Sequence, residues 1–478
     1  MPDTIYDVAI IGAGPGGYTA AIRAGQYGLK VALIEKDDRL GGTCLQVGCI
    51  PTKALLFTAE LFDYLKRGAE FGIENVDKAK INWKVLQDRK NKIVAKHTKG
   101  LEFLMKKNKV TTIEGYARLT GGAKDGIHSV EVFTEGGGGA AGETNFVKAK
   151  NVIVATGSEA RMLPGMEADS RILTNIEILS LNAIPKSLIV IGSGAVGSEF
   201  ASMYKSFGTE VTLIEILDRL VPVEDADVSK ELLKQFKKRG INCLTSTKME
   251  KIEKTKDGVK VTYTTSDGKQ TSQEAEKVLI AVGRAPRTDN VGMDKTKIKL
   301  ERGFVQTDEY MLTAEPGIYA IGDIVAGLPQ LAHAGSMEGM IAVAKIAGKP
   351  ARGIRKGLIP GATYTEPEIG SVGLTEAQAK EKGLDVKVGK FPFVGNSKAT
   401  IVGNHDGFVK VVSDGKYGEI LGVHIIGPRA TELIAEAVTA MQMEATVEEM
   451  MFTVHAHPTL YEALFDGFSS VHGMAINV

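Results

Sequence analysis

Two cysteines, Cys44 and Cys49, stand five positions apart in GGTCLQVGCIPTK. Such a pair can bind a metal, lie inert in a core, or cycle between dithiol and disulfide. Zinc asks for four ligands, usually from CxxC spacings. No second Cys/His cluster lies near this pair, so no metal site is expected. A redox disulfide sets a geometric condition. In a regular α-helix, residues five apart have Cα atoms about 8–9 Å apart, whereas a disulfide tolerates only about 7 Å. The segment therefore cannot be one regular helix throughout. Gly48 allows a bend there, and Pro51 fixes φ shortly after. The third cysteine, Cys243 in GINCLTS, reads as a small buried apolar residue.

A base for thiol chemistry is offered at the other end, in HAHPTLYE, which holds His455, His457 and Glu462. Pro458 suits the first position of a helix, where no N–H is needed. His457 would then sit just before the helix and Glu462 in its first turns, with the carboxylate reaching back to the imidazole. That pairing fixes the tautomer and supports the charged form. A dithiol substrate ionises well above neutrality, so a positioned base speeds thiolate formation by ~100-fold or more. His455 reads as structural or supporting.

The elements that must position these groups come from a duplication. YDVAIIGAGPGGYTAAIRAGQYGLKVALIEKDDRL, from Tyr6, aligns without a gap to KSLIVIGSGAVGSEFASMYKSFGTEVTLIEILDRL, from Lys186. Each copy runs apolar strand, GxGxxG, helix, Gly, apolar strand and Glu. The residues are Gly12, Gly14, Gly17 and Glu35 in the first copy and Gly192, Gly194, Gly197 and Glu215 in the second. The first Gly makes the turn, the second lets backbone approach a pyrophosphate, and the third lets helix and strand pack closely. The helix N-terminus offers free N–H groups to phosphate, and the carboxylate accepts from ribose hydroxyls. A lone GxGxxG is weak; two, each with Glu at the same offset, imply two dinucleotide sites. A 2′-phosphate would be repelled by Glu215, and Ile216 and Leu217 offer no cation, so NAD is favoured over NADP there.

NVIVATGS and KVLIAVGR read as closing strands of the two units, and GIYAIGD ends in Asp323. Val130 to Asn145 reads as a hairpin whose tip, EGGGGAAGE, is too Gly-rich to pack and is expected to be a mobile surface loop. From about Arg352 the composition shifts, and TYTEPEIGSVGLTEAQA begins a mixed α/β unit. The 478 residues imply about three domains. Lys+Arg and Asp+Glu both number 58 and are interspersed, which points to neither nucleic acid nor a charged membrane as partner. No run approaches the roughly 18 apolar residues of a membrane span. MPDTIYDVAI enters a strand at once, with neither signal peptide nor Arg-rich transit segment. A bacterial cytoplasmic location is expected, with a processed mitochondrial matrix chain as the alternative.

GGTCLQVGCIPTK, the two GxGxxG units, AIGD and HPTxxE together resemble the flavin disulfide oxidoreductases, the class I pyridine nucleotide-disulfide oxidoreductase family. The resemblance implies an α/β fold of two Rossmann-like dinucleotide-binding domains (glutathione reductase-like) plus a C-terminal α+β dimerisation domain. It divides the chain into an FAD domain over 1–150, an NAD domain over 151–283, a return to the flavin over 284–351 and a dimerisation domain over 352–478. Cys44 then corresponds to the interchange thiol and Cys49 to the thiolate lying against the flavin. Lys53, one helical turn beyond Cys49, would lie near the flavin N5, with Glu199 as its acidic partner and His457 paired with Glu462 as the base.

The resemblance further assigns FAD to Gly12, Gly14, Gly17, Glu35, Lys36, Gly42, Thr43 and Lys53. Ala117, standing where a Gly is common, would lie near the adenine. Thr156, Gly157 and Ser158 join the same site. Asp323 would bind the ribityl chain, or be a plain turn residue. Gln330, Leu331, Ala332 and His333 would line the isoalloxazine edge, although His333 reads equally as a packed helix histidine. NAD falls to Gly192, Gly194, Val196, Gly197, Glu199, Glu215, Met249 and Gly283. The implied activity is oxidation of protein-bound dihydrolipoamide with reduction of NAD. The implied partners are lipoyl carriers of 2-oxo acid dehydrogenase complexes or glycine cleavage, and a homodimer whose site is shared between subunits. Glutathione-type reductases usually carry VGCVPKK-like strings and use NADP; this chain has VGCIPTK and Glu215. Mercuric and large thioredoxin reductases add a C-terminal cysteine pair, absent from GMAINV. A redox-inert scaffold subunit would have no use for both cysteines, His457 and Glu462.

Overall fold

Short runs of Val, Ile and Leu, ended by Gly, become fully buried parallel strands, as both faces of such a sheet are covered. The structure, a computed structural model, describes residues 4–133 and 145–477. The chain forms two compact units. The first comprises Met1–Ala54, Gln87–Arg161 and Arg284–Ile354; the second comprises Leu55–Leu86, Met162–Gly283 and Arg355–Val478.

In the first unit, strands Thr111–Glu114, Val31–Glu35, Ile5–Ile11 and Asn145–Val154 lie side by side in parallel. Ile318–Ala320 pairs in parallel with the end of Asn145–Val154. His128–Phe133 pairs antiparallel with its start, and Tyr116–Leu119 extends that edge. The hairpin expected over Val130 to Asn145 is thus present as a strand pair, Val132 opposite Asn145; its Gly-rich tip lies outside the described residues. Val8, Ala9, Ile10, Leu33 and Ile153 are fully enclosed. Helix Pro15–Gln26 packs through Gly16, Gly17, Ala20, Ala21 and Ala24, residues small enough for close approach.

The second unit repeats the parallel order with Asn242–Leu244, Glu210–Ile214, Ser187–Ile191, Lys277–Ile280 and Ile172–Leu173. A three-stranded antiparallel sheet, Lys248–Lys254, Val259–Thr264 and Gln270–Ala275, covers part of it through Val259, Val261 and Tyr263. Beyond Arg355 a five-stranded antiparallel sheet orders Gly361–Thr363, Glu368–Gly373, Ile420–Gly427, Phe408–Asp414 and Val386–Pro392. Helices Ala430–Gln442 and Glu462–Ser470 pack on it through Leu433, Ile434, Leu464 and Phe468.

Packing accounts for where the chain passes from one unit to the other. Strand Asn145–Val154 pairs with Ile5–Ile11 from Lys148 to Val154, and the first unit continues to Arg161. Residues Leu55–Leu86 join the second unit, where Leu55, Ala59, Trp83 and Leu86 share a core with Phe200, Met203 and Tyr204. The last crossing lies at Ile354/Arg355, because Ile354 packs against the first unit's core.

Candidate active site

The two cysteines occupy a helix broken where the spacing argument requires it. Helix Gly42–Val47 carries Cys44, and helix Cys49–Lys66 begins with Cys49. Gly48 ends the first at φ −143° and ψ −116°, and a Cβ there would lie 2.8 Å from Thr43 O. The Thr52 hydroxyl donates to Gly48 O at 2.7 Å, securing the start of the second helix. The segment begins hard against the first glycine loop. Gly42 has φ +57°, and a Cβ on it would lie 2.7 Å from Gly14 Cα; Gly41 donates its N–H to Ala13 O at 2.9 Å. Gln46, between the cysteines, donates to Leu40 O at 2.7 Å and to the Thr98 hydroxyl at 2.9 Å.

Cys44 is half-buried and Cys49 exposed, and a side-chain hydrogen bond joins the two. That bond, burial and the charge on Cys49 push the Cys44 thiol well above its ordinary range, against the pull of the Lys53 ammonium. The two sulfurs are thus coupled rather than independent. Tyr18 stands beside them, its phenol raised by burial and by both cysteines.

The two glycine loops have nearly the same geometry. Gly12 and Gly192 have φ of +103° and +97°. A Cβ on Gly17 would sit 1.9 Å from Gly12 O, and one on Gly197 1.9 Å from Gly192 O, so neither position admits a larger residue. Gly14 and Gly194 instead face open space. They begin helices Pro15–Gln26 and Ala195–Ser206 without a side-chain cap, leaving first-turn N–H groups for a ligand. Glu35 accepts from Ala13 N at 2.7 Å, and Glu215 from Ser193 N at 2.8 Å. Open cradle, uncapped helix and adjoining carboxylate are the donor and acceptor set a dinucleotide needs. Lys36 is turned to Asp37 at 2.7 Å and lies 5.8 Å above the Tyr116 ring, beside Ala117. Ile216 and Leu217, after Glu215, are exposed. Val196 lies in the first turn of its helix and is also exposed. Met249 is half-buried against the Val259 and Val261 cluster, and Gly283 has φ +112°.

In the first unit Ser158 donates its hydroxyl to Asp323, which lies in the turn Gly322–Ile324. Arg284 donates to Ser158 Oγ at 2.6 Å and Ser158 O at 2.7 Å and stands 3.8 Å from Asp323. Burial lowers the Arg284 guanidinium from its usual range, while Asp323 and Cys49 support its charge. Gln330 donates to Asp323 O at 3.2 Å, and Leu331 caps helix Ala332–Ile346, which presents Ala332 and an exposed His333. Thr156 donates to Arg287 O at 2.5 Å, and Gly157 has φ +72°. Tyr18, Gln46 and Arg284 were not among the residues expected from sequence. Arg284 had a signal, a lone cation directly after the Gly that ends a buried strand.

In the second unit His457 Nδ1 meets Glu462 Oε1 at 2.9 Å, and Thr459 N donates to Oε2 at 2.8 Å. Burial would raise the Glu462 carboxyl, but Thr459 N–H and His457 hold it below the ordinary range. The His457 side chain is 71% exposed, leaving Nε2 as the ring nitrogen not engaged by Glu462. The expected helix start at Pro458 is corrected: the helix begins at Glu462, and the His457-Pro458 bond is cis. The carboxylate reaches the imidazole across a loop that Thr459 ties down. His455 has Thr453 O and Glu436 facing its two ring nitrogens, at 2.9 and 2.6 Å. Glu199 is buried and accepts from Tyr364 N at 3.0 Å. Cys243 is half-buried rather than buried, on the edge strand Asn242–Leu244, and burial pushes its thiol up to about 12.

Residues 6–339 match the pyridine nucleotide-disulphide oxidoreductase family, and residues 359–466 match that family's dimerisation domain. The chain belongs to this family. Similar proteins include dihydrolipoyl dehydrogenases of Rhizobium etli, 44% identical over 99% of both chains, and of Bacillus subtilis, 43% identical over 99% of both. The Mycobacterium tuberculosis dihydrolipoyl dehydrogenase is 44% identical over 99% of this chain and 100% of its own. Among solved structures, LpdA of Mycobacterium tuberculosis superposes with a TM-score of 0.87 at 29% identity, covering 96% of this chain and 98% of that one. Family membership makes the chain an oxidoreductase with two nucleotide-binding folds and a dimerisation domain. Among the described residues no helix is long and apolar enough to cross a membrane.

Proposed function

We propose that this oxidoreductase converts a carrier-bound dihydrolipoyl group to its cyclic disulfide and passes the two electrons through FAD to NAD. The observation that carries the reading is the hydrogen-bonded thiol pair on a helix broken at Gly48 and seated on the Gly14 loop. His457, held by Glu462, takes a proton from one substrate thiol. The thiolate attacks Cys44; the Cys44–Cys49 bond breaks, a mixed disulfide forms, and Cys49 leaves as thiolate. The second substrate thiol gives up its proton to Cys44 as its sulfur displaces Cys44, so the cyclic disulfide forms and Cys44 leaves as the thiol. Bound FAD would accept the electron pair from the dithiol and supply the hydride for NAD.

The chain's own groups place these partners. Gly12, Gly14, Gly17, Glu35 and Asp323 would hold FAD, with Lys53 and Arg284 adding positive charge beside the thiols. Gly192, Gly194, Gly197 and Glu215 would hold NAD. The site is shared in a homodimer, His457 of one subunit serving the cysteines of the other. The carriers are those of 2-oxo acid dehydrogenase complexes or glycine cleavage, and the bacterial relatives favour a cytoplasmic setting.

Two measurements test this. Dihydrolipoamide should reduce the purified flavoprotein, and NAD, in preference to NADP, should reoxidise it; a flavin indifferent to dihydrolipoamide would sink the assignment. Hybrid dimers of Cys44→Ser with His457→Ala subunits should regain one working site per dimer. If the hybrids stay as inactive as the parents, the site is not shared.

A further inference from the structure

Helix Ala332–Ile346, AHAGSMEGMIAVAKI, buries one carboxyl group in an otherwise small and apolar surface. Glu338 is 1% exposed. Its Oε2 accepts from Gly322 N at 2.6 Å, while Oε1 is sealed from solvent without a hydrogen-bond partner among the described residues. Gly322 has φ +77° and opens the turn that carries Asp323. The helix lies against that turn, since a Cβ on Gly335 would be 3.1 Å from Gly322 Cα. It also lies against the start of helix Pro15–Gln26: a Cβ on Gly339 would be 2.7 Å from Gly16 O, and Ser336 donates to Pro15 O at 3.3 Å. Glu338 therefore backs the Asp323 turn, and its helix backs the start of helix Pro15–Gln26 through Gly339 and Ser336.

We propose that Glu338 is a positioning residue for the flavin dinucleotide, clamping the Gly322–Asp323 turn from behind and taking up a proton when the dinucleotide binds. Its state is finely balanced. Burial pushes the carboxyl up to about 7, the Gly322 N–H pulls it down, and the charge of Asp323 pushes it up. Helix Pro15–Gln26 meets the adjoining Gly339 with uncharged Gly16 and Ala20, and the turn contributes Asp323, itself 3.8 Å from Arg284. A pyrophosphate at the uncapped end of helix Pro15–Gln26 adds negative charge and excludes water. Both disfavour the Glu338 carboxylate, so by linkage binding favours the protonated acid. The proton goes to Oε1, the oxygen that Gly322 leaves free. FAD is then held more tightly below neutral pH than above it.

This inference rests on the reading that Asp323 and the Gly12–Gly17 loop hold FAD. The test is the rate of FAD release from purified holoprotein, followed by flavin fluorescence between about pH 6 and about pH 8. Wild-type release should accelerate about fivefold over that range. Glu338→Gln, neutral and still able to accept from Gly322 N–H, should release FAD slowly at a rate independent of pH. Glu338→Ala should release it about tenfold faster than Glu338→Gln. A Glu338→Gln protein that keeps the wild-type pH dependence overturns the proposal, and so does a Glu338→Ala protein with wild-type release. If the alanine variant does not fold, the glutamine comparison decides alone. Asp323→Ala tests the underlying reading separately: unchanged release there removes Asp323 from the flavin site, whatever the Glu338 variants do.

Discussion

The two copies of the duplicated frame run together as far as Leu40 and Leu220 and then part. In the backbone they agree one residue further: Gly41 donates to Ala13 O at 2.9 Å, and Val221 donates to Ser193 O at 3.1 Å. The next residue separates them. Gly42 can approach Gly14 and start the helix that carries Cys44, whereas Pro222 turns the chain away toward helix Ala226–Lys238. That helix is capped by Asp225, which the buried Lys410 holds at 2.9 Å while also meeting Asp227 at 3.0 Å and Glu376 at 2.7 Å. One frame thus presents a dithiol at its cradle and the other an anchored helix. The lesson is that the glycine loop specifies a nucleotide cradle, while one residue just past the frame decides whether chemistry is attached to it.

Removing the anchor should have the largest effect. Lys410→Met leaves Asp225, Asp227 and Glu376 without their buried cation and should cost about 3–5 kcal/mol in denaturant unfolding. Bound flavin and the reactivity of both cysteines should survive in whatever fraction stays folded. The wild-type network also has an acid signature. Against the effect of burial, Lys410 holds the Asp225 and Asp227 carboxyls below their ordinary range. Their contribution is full above the ordinary carboxylate pKa and is lost as pH falls through the lowered folded values, below about pH 4. A Lys410→Met protein should lose that part of its acid sensitivity.

Gly42→Val comes next. A β-branched residue at φ +57° whose Cβ would stand 2.7 Å from Gly14 Cα must displace the start of the dithiol helix. The expected loss is about 3 kcal/mol, with FAD retention and thiol pairing impaired together. Val221→Gly, at the position matching Gly41, should leave nucleotide preference intact; Val221 already sits at φ +40°. If Gly42→Val kept its flavin and its disulfide, the close approach to Gly14 would not be what joins the chemistry to the cradle.

Smaller still is Glu215→Arg. It replaces the buried acid of the second frame and should shift the NAD/NADP preference by at least about tenfold, ~1.4 kcal/mol. Glu35→Gln should alter only flavin affinity. Equal discrimination in wild type and Glu215→Arg would show that the two carboxylates do not divide the nucleotides between them.

The smallest change concerns Glu224, just past the second frame. Burial raises its carboxyl, the Ser371 hydroxyl lowers it and Asp225 raises it further. A carboxyl raised on folding binds its proton more tightly in the folded state. Its contribution is therefore most favourable below the ordinary value and declines as pH rises toward the folded pKa. Glu224→Gln should match wild type near pH 4 and exceed it by about 1 kcal/mol near pH 8 in thermal unfolding.

Much of this was legible residue by residue. The gapless repeat places both cradles, and covalent geometry alone demands the break that Gly48 makes. The pairing of His457 with Glu462 was readable from five residues, although its means was not: the expected helical start gave way to a loop tied by Thr459. Tyr18, Arg284, Lys410 and Glu338 lay beyond reach. Each acquires its role from groups dozens to hundreds of positions away, as Lys410 does from Asp225. The division of the chain was similarly hidden, because Leu55 to Leu86 carry an ordinary amphipathic pattern that does not say which core will accept them.

By itself the amino-acid order determined the chemistry at hand: which groups can carry electrons, which backbone can cradle phosphate, and which acid stands at the same offset in each repeat. These follow from short-range constraints, since φ, bond reach and Cβ clearance act over a few residues. Only the tertiary structure decided where the anchoring cation lies and which buried acid backs the Asp323 turn. Those outcomes depend on desolvation and on charges brought together across the fold, and neither is encoded in local spacing.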